Sequence, residues 1–107
     1  MSKIKKSINI WSFHPDSTIE ECMRIAKDAG FEGIELAFSK TGPCSLESTE
    51  EELLAIRRLA DDIGITLCSL ATGLYWEWSF TASNAAIREK AKEVCRRQID
   101  AAAVLGI

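Results

Sequence analysis

One phrase recurs along this 107-residue chain and constrains its fold more than anything else: the end of a helix, a glycine, then an apolar run. Ala26-Lys-Asp-Ala-Gly30-Phe-Glu-Gly-Ile-Glu-Leu36 aligns without gaps on Ala60-Asp-Asp-Ile-Gly64-Ile-Thr-Leu-Cys-Ser-Leu70. A third copy starts near Ala102 and reaches Gly106-Ile107. The glycines stand 34 and 42 residues apart. Glycine suits the left-handed position just past a helix end, because it has no Cβ to clash there. Each copy therefore reads as a helix stop followed by a strand.

The helices carry their own signals. Ser17-Thr-Ile-Glu20 and Ser48-Thr-Glu-Glu51 have the spacing of capping boxes, in which a hydroxyl and a glutamate each satisfy an orphan backbone amide. Behind the first, Ile19, Cys22, Met23, Ala26 and Ala29 recur at three- and four-residue steps. Behind the second, Leu53, Ile56, Leu59, Ala60 and Ile63 do the same. A third stripe, Ile87, Ala91, Val94, Cys95, Gln98, Ile99, Ala102 and Leu105, predicts a helix over 84–105. Glu50, Glu51 and Glu52 read as charge placed at the positive end of the second helix. Strands are expected over 7–12, 33–37 and 66–70.

Strands alternating with amphipathic helices imply βαβ crossovers and a parallel sheet. Two architectures accept such units: the closed eight-stranded barrel and the open doubly wound sheet. The open sheet often carries Gly-x-Gly-x-x-Gly after its first strand; here that place is taken by Trp11-Ser-Phe-His-Pro-Asp16. The fold expected is therefore α/β: the β1-α1-β2-α2-β3-α3 portion of a (β/α)₈ barrel, about three of eight units, filling 1–107 as one partial domain. Eight units at the observed spacing come to roughly 270 residues, an ordinary barrel length. The chain is expected to stop before a fourth strand.

Charge and composition narrow the function. Thirteen basic against sixteen acidic residues leave a net charge of -3, which argues against a nucleic-acid surface built on phosphate neutralisation. The run Lys3-Ile4-Lys5-Lys6 is short and reads as a solvated start. No stretch has the apolar length of a membrane span, and 7–14 are too polar for a signal peptide, so a cytoplasmic protein is expected. Cys22, Cys44, Cys68 and Cys95 form no Cys-x-x-Cys, and with a single histidine they are expected to be buried, reduced thiols rather than zinc ligands.

Three features resemble the xylose-isomerase-like TIM-barrel superfamily, which holds sugar and sugar-phosphate isomerases and epimerases together with endonuclease IV. They are the phrase 26–36 at the second strand, Gly64-Ile-Thr-Leu-Cys-Ser-Leu70 with a long loop after it, and 91–107 leading into Ala-x-x-Leu-Gly. Within the superfamily the chain looks most like hexulose-6-phosphate isomerases and xylulose-5-phosphate 3-epimerases. The resemblance implies a divalent metal (Mn, Co, Zn or Mg) at the barrel mouth of the full-length protein. Its ligands come from later strands, so no metal ligand and no catalytic residue is expected among these 107 residues. What carries over is Glu35 on the second strand and the loops after strands one and three, which line the sugar pocket in relatives.

Four residues are candidate substrate contacts. Glu35 is a carboxylate in an apolar strand, which is costly to bury unless paired or solvated. It is read as a contact to a sugar hydroxyl at the pocket floor, against a structural ion pair. His14 stands on the first βα loop, where barrel active sites lie, and is read against a simply exposed loop histidine. Trp11 and Trp76 offer aromatic faces that can pack on a sugar ring, or else between loops or at an oligomer contact, whereas Trp78, beside Tyr75 and Phe80, reads as packing. In Lys40-Thr-Gly-Pro43, Gly42 would let a phosphate approach.

The expected function is that of a metal-dependent sugar or sugar-phosphate isomerase or epimerase, acting by proton transfer next to a carbonyl, with the 107 residues alone inactive. The partners expected are a small sugar or sugar phosphate and other copies of the chain, with neither nucleic acid nor membrane. The alternatives are an endonuclease IV-like repair enzyme, which needs clustered histidines and a basic groove, and a non-catalytic α/β piece that self-associates. For self-association, the sequence places Ile8, Ile10, Ile65 and Leu67 on strand edges and leaves Ile10, Ile34, Leu36 and Leu70 partly exposed on an unfilled inner face.

Overall fold

The computed structural model describes residues 4–107; the basic run that starts at Lys3 begins outside them. Three strands, β1 (Ser7–Asn9), β2 (Gly33–Ala37) and β3 (Thr66–Ala71), form a parallel sheet in the order β1-β2-β3. Helices α1 (Ile19–Asp28) and α2 (Glu50–Ile63) connect them, and α3 (Ala85–Leu105) follows. The α/β fold of a partial barrel is thus present, three βα units in register.

The sheet has two unlike faces. Ile34 and Leu36 of β2 are fully buried, and Leu67 of β3 nearly so. They meet the stripes of the helices, with Cys22, Met23 and Ala26 from α1, Leu53, Ile56 and Ala60 from α2, and Val94, Ala101 and Leu105 from α3 in one apolar cluster. Burying an aliphatic side chain of this size contributes roughly 1.5–3 kcal/mol. The other face carries Ser7, Asn9, Gly33, Glu35 and Ser69. This corrects the expected inner face: Ile34 and Leu36 point at the helices, and so do the edge residues Ile65 and Leu67, both buried. Alternation along each strand puts the polar set on the barrel side.

Several boundaries move for local reasons. β1 ends at Asn9 rather than Ser12, because the Asn9 side chain accepts the Trp11 N–H and turns Ile10–Ser12 into a 3₁₀ turn. Both capping boxes lie one residue later than the sequence spacing suggests. The caps are Thr18 with Glu21 and Thr49 with Glu52. Ser17 is held in the preceding turn by its N–H to the His14 carbonyl, and the Ser48 hydroxyl is committed to Pro43 O and Ser45 N. In α3 the stripe rotates: Ala101 is buried while Ile99 is 62% exposed. Ala29 at the end of α1 is exposed as well.

The three repeat glycines all adopt positive φ, with 92° at Gly30, 83° at Gly64 and 82° at Gly106. Two of the helix ends gain a cation from the helix before. Lys27 of α1 donates to the Gly64 carbonyl at 2.9 Å, and Arg57 of α2 donates to Val104 O at 3.3 Å. Positive charge at a helix C-terminus is favourable against the dipole, so each helix end is locked to its neighbour.

Of the four free thiols, Cys22 and Cys44 are buried, but Cys95 is only half-buried and Cys68 is exposed on the open face. The reason is a bulge. The register slips between Ile34 and Glu35, leaving Cys68 as an extra residue without a partner on β2. Burial pushes the Cys44 thiol up to about 11, away from the reactive thiolate.

Three outcomes test this arrangement. Thr18→Ala and Thr49→Ala should each cost about 1 kcal/mol in urea unfolding, and Ser17→Ala much less. The Thr18 and Thr49 amides, and then their hydroxyls, lower the pKa of Glu21 and Glu52 below the ordinary 4.5. That stability is present above the ordinary value and lost as pH falls through the lowered one, so Glu21→Gln with Glu52→Gln should flatten the acid limb of the urea midpoint. Mass spectrometry after brief alkylation at pH 8 should find Cys68 modified first, with Cys22 and Cys44 untouched until urea unfolds the chain; early labelling of Cys44 would contradict the packing.

Candidate functional site

Glu35 lies at the middle of β2, half-buried, with its side chain on the open face. Its neighbours across the sheet are Asn9 on β1 and Ser69 on β3, so the three form one row. Asn9 Nδ2 donates to Glu35 Oε1 at 2.6 Å, and Ser69 Oγ donates to Glu35 Oε2 at 2.7 Å. The carboxylate is therefore held by two neutral donors rather than by a salt bridge, and each oxygen keeps acceptor capacity for a further donor. Below this row, Gly33 sits where a Cβ would come within 2.6 Å of Ser7 Oγ and 3.3 Å of the Thr66 carbonyl. A glycine there lets the flanking strands close over it.

The bulge decides who meets Glu35. Without the extra residue at Cys68, the pairing Ile34↔Leu67 would continue to Glu35↔Cys68; with it, Ser69 takes that place. Bulges commonly re-aim a side chain in this way.

Directly after Asn9, the first βα loop begins with the turn Ile10–Ser12 and carries Trp11 and His14. Both line a cleft of about 500 Å³ between that loop and the second one, with Phe13, Ser39, Thr41 and Pro43. Trp11 is 61% exposed. The His14 ring accepts the Asp16 N–H at Nδ1, 3.2 Å, which leaves Nε2 as its donor. Asp16 Oδ2 lies 3.7 Å from the same Nδ1.

The predicted site residues are thus partly gathered. Trp11 and His14 share the cleft, and Trp11 is linked to Glu35 through Asn9. Trp76 stands apart on the third loop, in the 3₁₀ turn Leu74–Trp76, and is 94% exposed. Trp78 is half-buried between two cations, with Lys40 Nζ 4.9 Å and Lys90 Nζ 5.1 Å from its ring centroid. Lys40 also pairs with Glu77 at 2.7 Å, latching the second loop to the third. At Gly42, the carbonyl accepts the Ser45 hydroxyl at 2.7 Å, so that turn is closed internally.

Sequence reasoning passed over Asn9 and Ser69, although each is a polar residue inside an apolar strand, which is the available signal. It also placed Gln98 on an apolar stripe. Gln98 instead donates to Leu70 O at 2.8 Å and accepts from the Tyr75 hydroxyl at 2.7 Å, clamping the third loop to the end of β3. Burial, and then the neighbouring Cys95 thiol, push Tyr75 up to about 12, so it remains a donor.

Among the described residues no group of three His, Cys, Asp or Glu side chains converges. No described helix is long and apolar enough to cross a membrane.

Comparison with known proteins agrees with this architecture. Residues 23–107 match the family described as xylose isomerase-like TIM barrel. The whole chain is also similar, at 28% identity over 109 aligned positions, to a Haemophilus influenzae protein named "Putative L-ribulose-5-phosphate 3-epimerase SgbU", of which it spans 38% of the length. The three parallel βα units and the family match over most of the chain together place it in the xylose isomerase-like TIM-barrel family.

Proposed function

We propose that these βα units belong to an enzyme that isomerises or epimerises a small sugar or sugar phosphate by moving a proton next to a carbonyl. The observation that carries this reading is the fixed carboxylate of Glu35 on the barrel side of the sheet, linked through Asn9 to the backbone of Trp11, which lines a cleft with His14. Support also comes from the family and from the name of the relative. Glu35 accepts a hydrogen bond from a substrate hydroxyl. Trp11 lays its exposed face on the apolar side of the sugar, and the His14 ring offers Nε2–H at the cleft rim. Trp76 reaches the substrate from the third loop only if that loop folds inward.

A divalent metal, Mn, Co, Zn or Mg, belongs to this reading as a property of the whole enzyme, where it would polarise the substrate oxygens. No step on the residues described here depends on it. A homo-oligomer belongs to this reading as well, as a property of the whole enzyme.

Two measurements test the reading. The 107 residues alone, assayed with Mn²⁺, Co²⁺ or Zn²⁺ and a panel of pentulose and hexulose phosphates, should show no turnover; activity that copurifies with them would contradict the need for the remaining barrel strands. In the enzyme carrying this chain, Glu35→Gln should lower kcat/KM by about tenfold or more while shifting Tm little. Retained activity with a lost Tm would instead make Glu35 a purely structural residue.

A further inference from the structure

We propose that Asn9 is a positioning residue that ties the first βα loop to Glu35, so that one side chain sets both the turn that carries Trp11 and the orientation of the carboxylate. Its functional consequence rests on the sugar reading above; the coupling itself rests on geometry.

The Asn9 amide makes two bonds of opposite polarity. Its Oδ1 accepts the Trp11 backbone N–H at 2.6 Å, and its Nδ2 donates to Glu35 Oε1 at 2.6 Å. A backbone N–H can only donate, so the amide oxygen must face Trp11 and the NH₂ must face Glu35. The first bond creates the turn Ile10–Ser12, which ends β1 and points the loop with His14 toward the cleft. The second fixes one oxygen of the carboxylate, and Ser69 fixes the other.

Few residues can replace Asn9. Aspartate keeps the acceptor for Trp11 but sets a second carboxylate against Glu35. Leucine keeps the size and loses both bonds. Glutamine is one methylene too long to span the same two partners across adjacent strands. A substrate hydroxyl that draws on Glu35 therefore acts on Asn9, and through it on the turn that carries Trp11. Binding at the carboxylate and the setting of that turn become one event.

The test has an arm that does not depend on activity. On the ¹⁵N-labelled chain, Glu35→Met, which keeps length and removes the acceptor, should shift the Trp11 amide signal and speed its hydrogen exchange severalfold. Ser69→Ala leaves both Asn9 bonds in place and should leave that signal where it was. A Trp11 amide unmoved by Glu35→Met, or moved equally by Ser69→Ala, would overturn the coupling. In the enzyme carrying the chain, Asn9→Asp should lower kcat/KM about a hundredfold. Adding Glu35→Gln exchanges amide and carboxylate and should return KM toward the parent value. A double variant no better than the two single effects combined rejects the positioning role. If the enzyme turns over none of the sugars tried, the sugar reading falls, while the amide arm still decides whether Asn9 couples loop and carboxylate.

Discussion

The structure depends on β2 and on the demand that a parallel strand be covered on both faces. Ile34 and Leu36 fill one side completely, and every helix contributes to the cluster around them. Because side chains alternate along a strand, that burial also fixes which residues face the other way. Glu35 is on the barrel side because its two neighbours are in the core. Shifting β2 by one residue would drive the carboxylate into the helical layer and expose both aliphatic residues.

With β2 fixed, the rest of the polar face follows from its two neighbours. β1 brings Asn9 beside Glu35 by plain register, while β3 brings Ser69 there only through its bulge. The ungapped repeat aligns Glu35 with Ser69, and these two residues are paired in space. The extra residue that makes this possible, Cys68, is left exposed on the open face. The carboxylate ends between two donors, so its oxygens are satisfied without a cation and remain open to a ligand.

The loops are organised in a chain of contacts of their own. Asn9 starts the first, the cleft joins the first to the second, and Lys40 joins the second to the third through Glu77 and Trp78. Gln98 and Tyr75 then anchor the third to β3. This places Trp11 and His14 together and leaves Trp76 at the surface.

The sequence by itself determined the features that short-range physics controls. The glycine stops at 30, 64 and 106, the extents of β2 and α3, and the alternation of strand and helix could all be read from neighbouring residues. The family resemblance pointed to Glu35 and to the first loop. Caps could be placed only to within one residue, because serine and threonine compete for the same amides. That competition was settled by contacts to His14 and Pro43. Tertiary structure alone decided the pairing register. Neither the donors that hold Glu35 nor the exposure of Cys68 could be read from any one segment, because strands 26 or more residues apart meet only after the helices between them have packed.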